Sequence, residues 1–167
     1  MRTAVRTRTS DNLLLDTLGG LEGLTGFLRS IGDQTKRSDR WETALNEAVS
    51  GDARDTSTPS AILATSESSS LGDVLKPSSV VQLRQWMIDD QVADSLIRAH
   101  LPEGWGIGDN TGAGGNGSRA IIAFIQPEKD AHYLAAIYLT ESDADVALRN
   151  KVVSEIGQAM IAEIKAR

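Results

Sequence analysis

A chain of 167 residues suffices for one domain with a real core, or for one large part of a two-part fold. Its 23 acidic against 17 basic side chains, a net charge of −6, speak against the basic face of a nucleic-acid binder. With no cysteine there are no disulfides, thiolate nucleophiles or zinc–thiolate sites.

His100 and His132 stand too far apart in sequence to form a ligand pair, so neither a metal nor another cofactor is expected. No apolar run approaches the roughly 18 residues a membrane span requires. The basic start, Met1 to Arg8, is followed by no apolar stretch of signal-peptide type. As it stands the sequence therefore predicts a cytoplasmic chain with neither a membrane nor a nucleic-acid partner.

In chain order, Asn12 to Leu18 predicts a short helix stopped at Gly19-Gly20. Leu21, Leu24, Phe27, Leu28 and Ile31 then recur at helical spacing up to Gly32. From Asp33 to Thr58 the periodicity disappears. A structureless stretch of this length is uncommon in a compact domain, and opposite charges at Arg40 and Asp55 can clamp its neck, which predicts an Ω loop over about 37–58. Pro59 to Leu71 begins as a helix, but its serine run has low helix propensity and little to bury, which counts against the element. Pro77 opens a helix with Val80, Leu83, Trp86 and Met87 on its apolar face. Val92 to Leu101 predicts another short helix, ended by Pro102 and Gly104.

Beyond this point the period changes to two. Trp105, Ile107 and Asp109 alternate as in a strand, and Thr111 to Gly117 is rich in glycine. Ala120–Ile125 and Tyr133–Leu139 are apolar strands joined across a turn at Gln126-Pro127-Glu128-Lys129-Asp130, which gives an antiparallel three-strand meander. Ser142 and Asp145 predict a capping box for a last helix with Val146, Val152, Val153, Ile156, Met160 and Ile164 on its core face. The fold class is α+β: helices and a loop over 12–104, then sheet strands and a packing helix over 105–167.

Two constellations can carry chemistry. Glu42 and Asn46 are four apart, so one helical turn sets a carboxylate and an amide side by side, able to hold a water for general-base attack. A solvated surface pair has the same spacing. Asp109-Asn110-Thr111-Gly112-Ala113-Gly114 ends a strand whose edge can bond a ligand through backbone N–H groups, and Arg119 on the next strand can meet a carboxylate. An ordinary β-turn and a solvated arginine also fit.

Both constellations lie, in order, within a longer match. Asn12-Leu13-Leu14-Leu15, Gly19-Gly20, Leu24-Thr25-x-Phe27-Leu28 and Gly32-Asp33 precede Arg40-Trp41-Glu42-x-x-Leu45-Asn46-Glu47, Arg54-Asp55-Thr56 and Pro59. Trp86-Met87, Leu101-Pro102-x-Gly104-Trp105, Thr111-Gly112-Ala113-Gly114 and Gly117-Ser118-Arg119 follow, then Arg149-Asn150 and Ile156-Gly157. With these residues the chain resembles the C-terminal part of the class A serine β-lactamases from Asn12 to the end, almost without gaps. The resemblance implies part of the β-lactamase/transpeptidase-like fold, with residues 1–167 forming a partial domain, and a β-lactam as small-molecule partner.

By position, Glu42 matches the family's general base for hydrolysis of the acyl-enzyme and Asn46 its water-holding partner. Arg40 and Asp55 match the ion pair that closes the Ω loop. Thr111 and Gly112 match the end of the Lys-Thr-Gly strand motif, Ala113 an oxyanion-hole N–H, and Arg119 a contact to the substrate carboxylate. Asn110 replaces the lysine of that motif at the substrate site. Ser10-Asp11-Asn12 spells the family's Ser-Asp-Asn loop if about four residues are deleted. In the preferred gapless frame Asn12 instead matches a buried asparagine that steadies the Ω loop, and Arg6-Thr7-Arg8 occupies the motif.

Other departures bear on activity and stability. No serine is followed three residues later by lysine, so the Ser-x-x-Lys nucleophile is expected in an N-terminal segment that these residues do not contain. A fragment or degenerate copy, inactive alone, is the leading expectation. A half-enzyme completed by a separate N-terminal piece, and a non-catalytic module that holds a partner or a second copy through an exposed sheet edge, are the alternatives. Members of the family are periplasmic or secreted. Thr43 stands where the family usually has proline after a cis peptide, an isomer that is cheap only before proline. Ser38, Ser66, Ser69 and Ser70 fall at positions usually apolar, a change that costs roughly 2–5 kcal/mol per truly buried site.

Overall fold

The structure, a computed structural model, describes residues 8–127 and 131–167. Helices α1 (Arg8–Thr17) and α2 (Gly20–Ser30) come first, and a loop then runs to Thr58 with a single 3-10 turn at Ala44–Asn46. Helices α3 (Pro59–Ser70) and α4 (Pro77–Ile88) lead through a short 3-10 turn, Ile97–His100, into strands β1 (Gly106–Ala113), β2 (Arg119–Gln126) and β3 (Tyr133–Leu139). Helix α5 (Val146–Lys165) closes the chain.

The strands form one antiparallel sheet in the order β1-β2-β3, with Ile107 opposite Ile125 and Ile121 opposite Ile137. Side chains alternate across a sheet. The odd-numbered set, Ile107, Ile121, Ala123, Ile125, Ala135 and Ile137, packs with Leu96, Ile97, Val153 and Ile161 into the main core. Fully burying a side chain of this kind stabilises by roughly 1.5–3 kcal/mol. The opposite face meets α3 along β3 and α4 along β1. There Gly108 is required, because a Cβ would sit 2.3 Å from the Phe124 ring and 3.0 Å from Met87 Cβ. The α+β class and the meander thus agree with the reading of the sequence.

Several local expectations are corrected. The serine-rich segment does form α3, for two reasons. Thr58 caps it by accepting the Ala61 N–H with Pro59 in the first turn, and Thr65 Oγ1 donates to Asp33 Oδ2 at 2.8 Å. Of the four serines at family-apolar positions only Ser70 is buried, and its hydroxyl donates to Ser66 O at 2.6 Å. The segment from Val92 is not a helix: only Ile97–His100 has helical bonding, in the 3-10 form.

Trp86 does not join the core face of α4 but is 63 % exposed, and on α5 Val146 and Ile156 also face outward while Val153, Gly157 and Ile161 face in. Asp145 alone caps α5 by accepting from Leu148 N at 2.8 Å. Ser142 Oγ accepts from Ala144 N one turn earlier, so there is no capping box. The Glu42–Thr43 peptide is cis although no proline follows Glu42. The turn expected at Gln126 to Asp130 lies partly outside the described residues.

Candidate active site between the Ω loop and strand β1

The loop after α2 is tied shut at its neck. Arg40 Nε donates to Asp55 Oδ2 at 2.6 Å, while the N–H groups of Asp39 and Arg40 donate to Asp55 Oδ1 at 2.7 and 3.0 Å. Arg40 also pairs with Glu47, so one guanidinium joins neck and tip. The hydrogen bond that Arg40 donates to the Asp55 carboxylate holds its guanidinium above its ordinary pKa. Beside this pair, Arg37 pairs with Asp39 and Arg54 with Asp52. These exposed pairs add little beyond order.

At the other end, Asp33 anchors the loop to α3. It accepts from Thr35 N at 2.9 Å, Lys36 N at 2.8 Å and Thr65 Oγ1 at 2.8 Å. Burial pushes its carboxyl up, but these three donors and nearby Arg29 prevail and hold it below the usual carboxylate value.

Within the loop the 3-10 turn Ala44–Asn46 brings Asn46 back onto Glu42: Asn46 Nδ2 donates to Glu42 Oε2 at 2.7 Å. The Glu42 peptide is held by Asn12, whose Nδ2 donates to Glu42 O and whose Oδ1 accepts from Glu42 N, both at 2.9 Å. Glu42, Thr43 and Asn46 then line an open cleft of about 630 Å³ whose far wall is Thr111, Gly112, Ala113, Gly114 and Gly115, with Asp11 at one side.

The expected residues are thus brought together in part. Glu42, Asn46, Thr111, Gly112, Ala113 and Asp11 share the cleft. Asn110 precedes the lining segment on β1, half-buried. Ser10, Asp11 and Asn12 all lie within helix α1, and Asn12 faces the Ω-loop backbone. Arg119 is 8 % exposed and lies behind the strand edge. Its Nε donates to Asn150 Oδ1 at 2.9 Å and its Nη1 to Gly112 O at 3.0 Å, so it supports the cleft wall from the α5 side. Burial lowers the Arg119 pKa below the usual guanidinium value.

Two features escaped sequence reading. Asp109, fully buried on β1, receives Arg98 Nε and Nη2, each at 2.9 Å, and Arg98 Nη2 also donates to Met87 O at 2.8 Å. Burial pushes the Asp109 carboxyl up against the opposing pull of Arg98. The second is the contact of the β1–β2 turn with the Ω loop, where Gly115 N donates to Asn46 O at 2.7 Å. The Asn116-Gly117 pair, both at positive φ, was legible as a hairpin turn, but its docking partner was not. Among the described residues no cluster of His, Cys, Asp and Glu is arranged to hold a metal ion.

A helical part with a pinned loop, facing the edge of an antiparallel sheet backed by a C-terminal helix, defines the class. The family model for β-lactamases matches residues 3–158, and the chain belongs to the β-lactamase family. Several solved structures similar to it are class A β-lactamases. It is 48 % identical to a class A β-lactamase of the last common ancestor of Gram-negative bacteria, with a TM-score of 0.91 over 94 % of this chain and 60 % of that one. It is 41 % identical to the chromosome-encoded β-lactamase of Vibrio parahaemolyticus, with a TM-score of 0.92 over 96 % of this chain and 61 % of that one. A variant of the ancestral enzyme bound to a transition-state analogue, a nitrobenzotriazole, is 45 % identical, with a TM-score of 0.91 over 95 % and 60 %. The chain therefore spans about 60 % of the length of the structures it resembles.

Proposed function

We propose that this chain carries the water-activating half of a serine β-lactam hydrolase site and is inactive toward β-lactams by itself. The observation that carries the reading is the Asn46–Glu42 hydrogen bond of 2.7 Å inside a cleft faced by Thr111, Gly112 and Ala113. With Oε2 engaged by Asn46, Glu42 has Oε1 available to take a proton from a water in the cleft. That water attacks the carbonyl of an acyl-serine lying along β1. The developing oxyanion is stabilised by the Ala113 N–H, and collapse expels the serine oxygen, which takes up a proton in place of the one Glu42 removed from the water. The serine itself comes from outside these 167 residues, since none of their serines belongs to a Ser-x-x-Lys motif.

A specific observation favours completion by a further segment. Leu13 and Leu14 on α1 and Leu18 just after it are each more than half exposed, large apolar side chains left bare on the helix whose Asn12 holds the Ω loop. Self-association through β3, an end strand in the described sheet, is the competing use of exposed surface. The family is typically periplasmic or secreted, and resistance to β-lactam antibiotics is the setting in which a completed site of this kind acts.

The test mixes the purified chain with N-terminal fragments of related class A enzymes and follows hydrolysis of a chromogenic cephalosporin. Hydrolysis that appears only on mixing and disappears with Glu42→Gln is the expected result. Hydrolysis by the chain alone, or silence with several partners shown to bind it, overturns the proposal.

A further inference from the structure

The turn between β1 and β2 is fastened to the Ω loop through three consecutive carbonyls. Gly115 N donates to Asn46 O at 2.7 Å, and Asn116 Nδ2 donates to Ala48 O at 2.8 Å and reaches Glu47 O at 3.5 Å. The two surfaces meet without slack: a Cβ on Gly114 would lie 2.7 Å from Asn46 O, and one on Gly115 only 2.2 Å from Glu47 O. From this seam bonding runs in two directions. The Asn46 amide holds the Glu42 carboxylate, and Glu47 pairs with Arg40, which pairs with Asp55 at the loop neck.

Asn116 has positive φ, which glycine adopts more freely than asparagine, so the turn alone does not require a side-chain amide. What the amide adds is the bond to Ala48 O. We infer that Asn116 is a positioning residue: its amide clasps the Ω loop to the hairpin and so sets the gap between the Glu42–Asn46 pair and the Thr111–Ala113 wall. That gap decides how bulky a ligand the cleft admits. The ligand named below rests on the proposed β-lactam reading, whereas the clasp does not.

Asn116→Gly deletes the amide while retaining a backbone suited to positive φ, and Asn116→Asp keeps the side-chain shape but loses the donor. Amide hydrogen exchange followed by NMR on the whole chain reads the clasp. In both variants Gly115 N–H is expected to exchange at least about tenfold faster, with the β2 amides of Ile121 to Ile125 unchanged. Titration with benzylpenicillin and the bulkier ceftazidime reads the gap, and the ratio of their Kd values is expected to move about fivefold or more toward ceftazidime.

Unchanged exchange at Gly115, or an equal acceleration throughout the sheet, overturns the clasp. Faster exchange with an unchanged Kd ratio overturns the selectivity role. If neither compound binds the parent chain even with an N-terminal fragment of a related class A enzyme present, the β-lactam reading of the cleft fails, and the exchange measurement still decides the clasp.

Discussion

Asn12 holds the peptide of Glu42 from both sides, donating to its carbonyl and accepting from its N–H at 2.9 Å each, across thirty residues of sequence. Replacing Asn12 by alanine leaves both backbone groups without these partners. The expected loss is about 1–3 kcal/mol of unfolding free energy. Asn12→Asp is expected to cost more at neutral pH, because a carboxylate oxygen then faces the Glu42 carbonyl. Urea denaturation of the three proteins checks the order, and equal stabilities would refute it.

Asp33 makes acid stability informative. Its carboxyl is held below the ordinary value of 3.8 in the folded chain, so its contribution is complete above about pH 4 and fades as pH falls through the folded value. Asp33→Asn keeps the shape but not the charge. It is expected to be less stable by about 1–3 kcal/mol at neutral pH. The gap to the parent chain should close as the solution is acidified below about pH 4. Thermal melts at a series of pH values measure this, and a gap constant with pH would contradict it.

Arg98 is the counter-charge to a carboxylate with no exposed surface. Arg98→Met strands Asp109 in the core, and breaking a buried pair in this way costs about 3–5 kcal/mol. The double variant with Asp109→Asn is expected to recover part of that loss, since it removes the orphan charge. A double-mutant cycle on unfolding free energies reads the coupling. Additive losses would mean the two side chains do not act as a pair.

Gly117 combines a φ of 66° with a neighbour in the way: an added Cβ would lie 1.9 Å from Ser142 O. Gly117→Ala must displace either the hairpin or the segment ahead of α5. Overpacking of this kind typically costs about 1–3 kcal/mol, with about 1 kcal/mol more for the left-handed backbone. A drop in Tm is the readout, and a variant as stable as the parent would show that the hairpin has room to move.

The local pattern of residues carried much of this protein. The apolar runs Ala120–Ile125 and Tyr133–Leu139 mark strands covered on both faces, as the sheet is, by the core on one side and by α3 and α4 on the other. The spacing of Glu42 and Asn46 placed an amide within reach of a carboxylate, and the charges of Arg40 and Asp55 marked the loop neck. What local patterns cannot encode is a partner far along the chain. Helix α3 looked too rich in serine to stand, and it stands on Thr65 meeting Asp33 and on its packing against β3. Trp86, Val146 and Ile156 read as core by helical period, but which apolar stripe faces inward depends on what lies opposite. Only the tertiary structure decided that Arg119 supports β1 from behind, that Asp109 is neutralised by Arg98, and that Asn116 reaches the Ω loop. Each of these rests on a contact between distant segments that packing alone brings together.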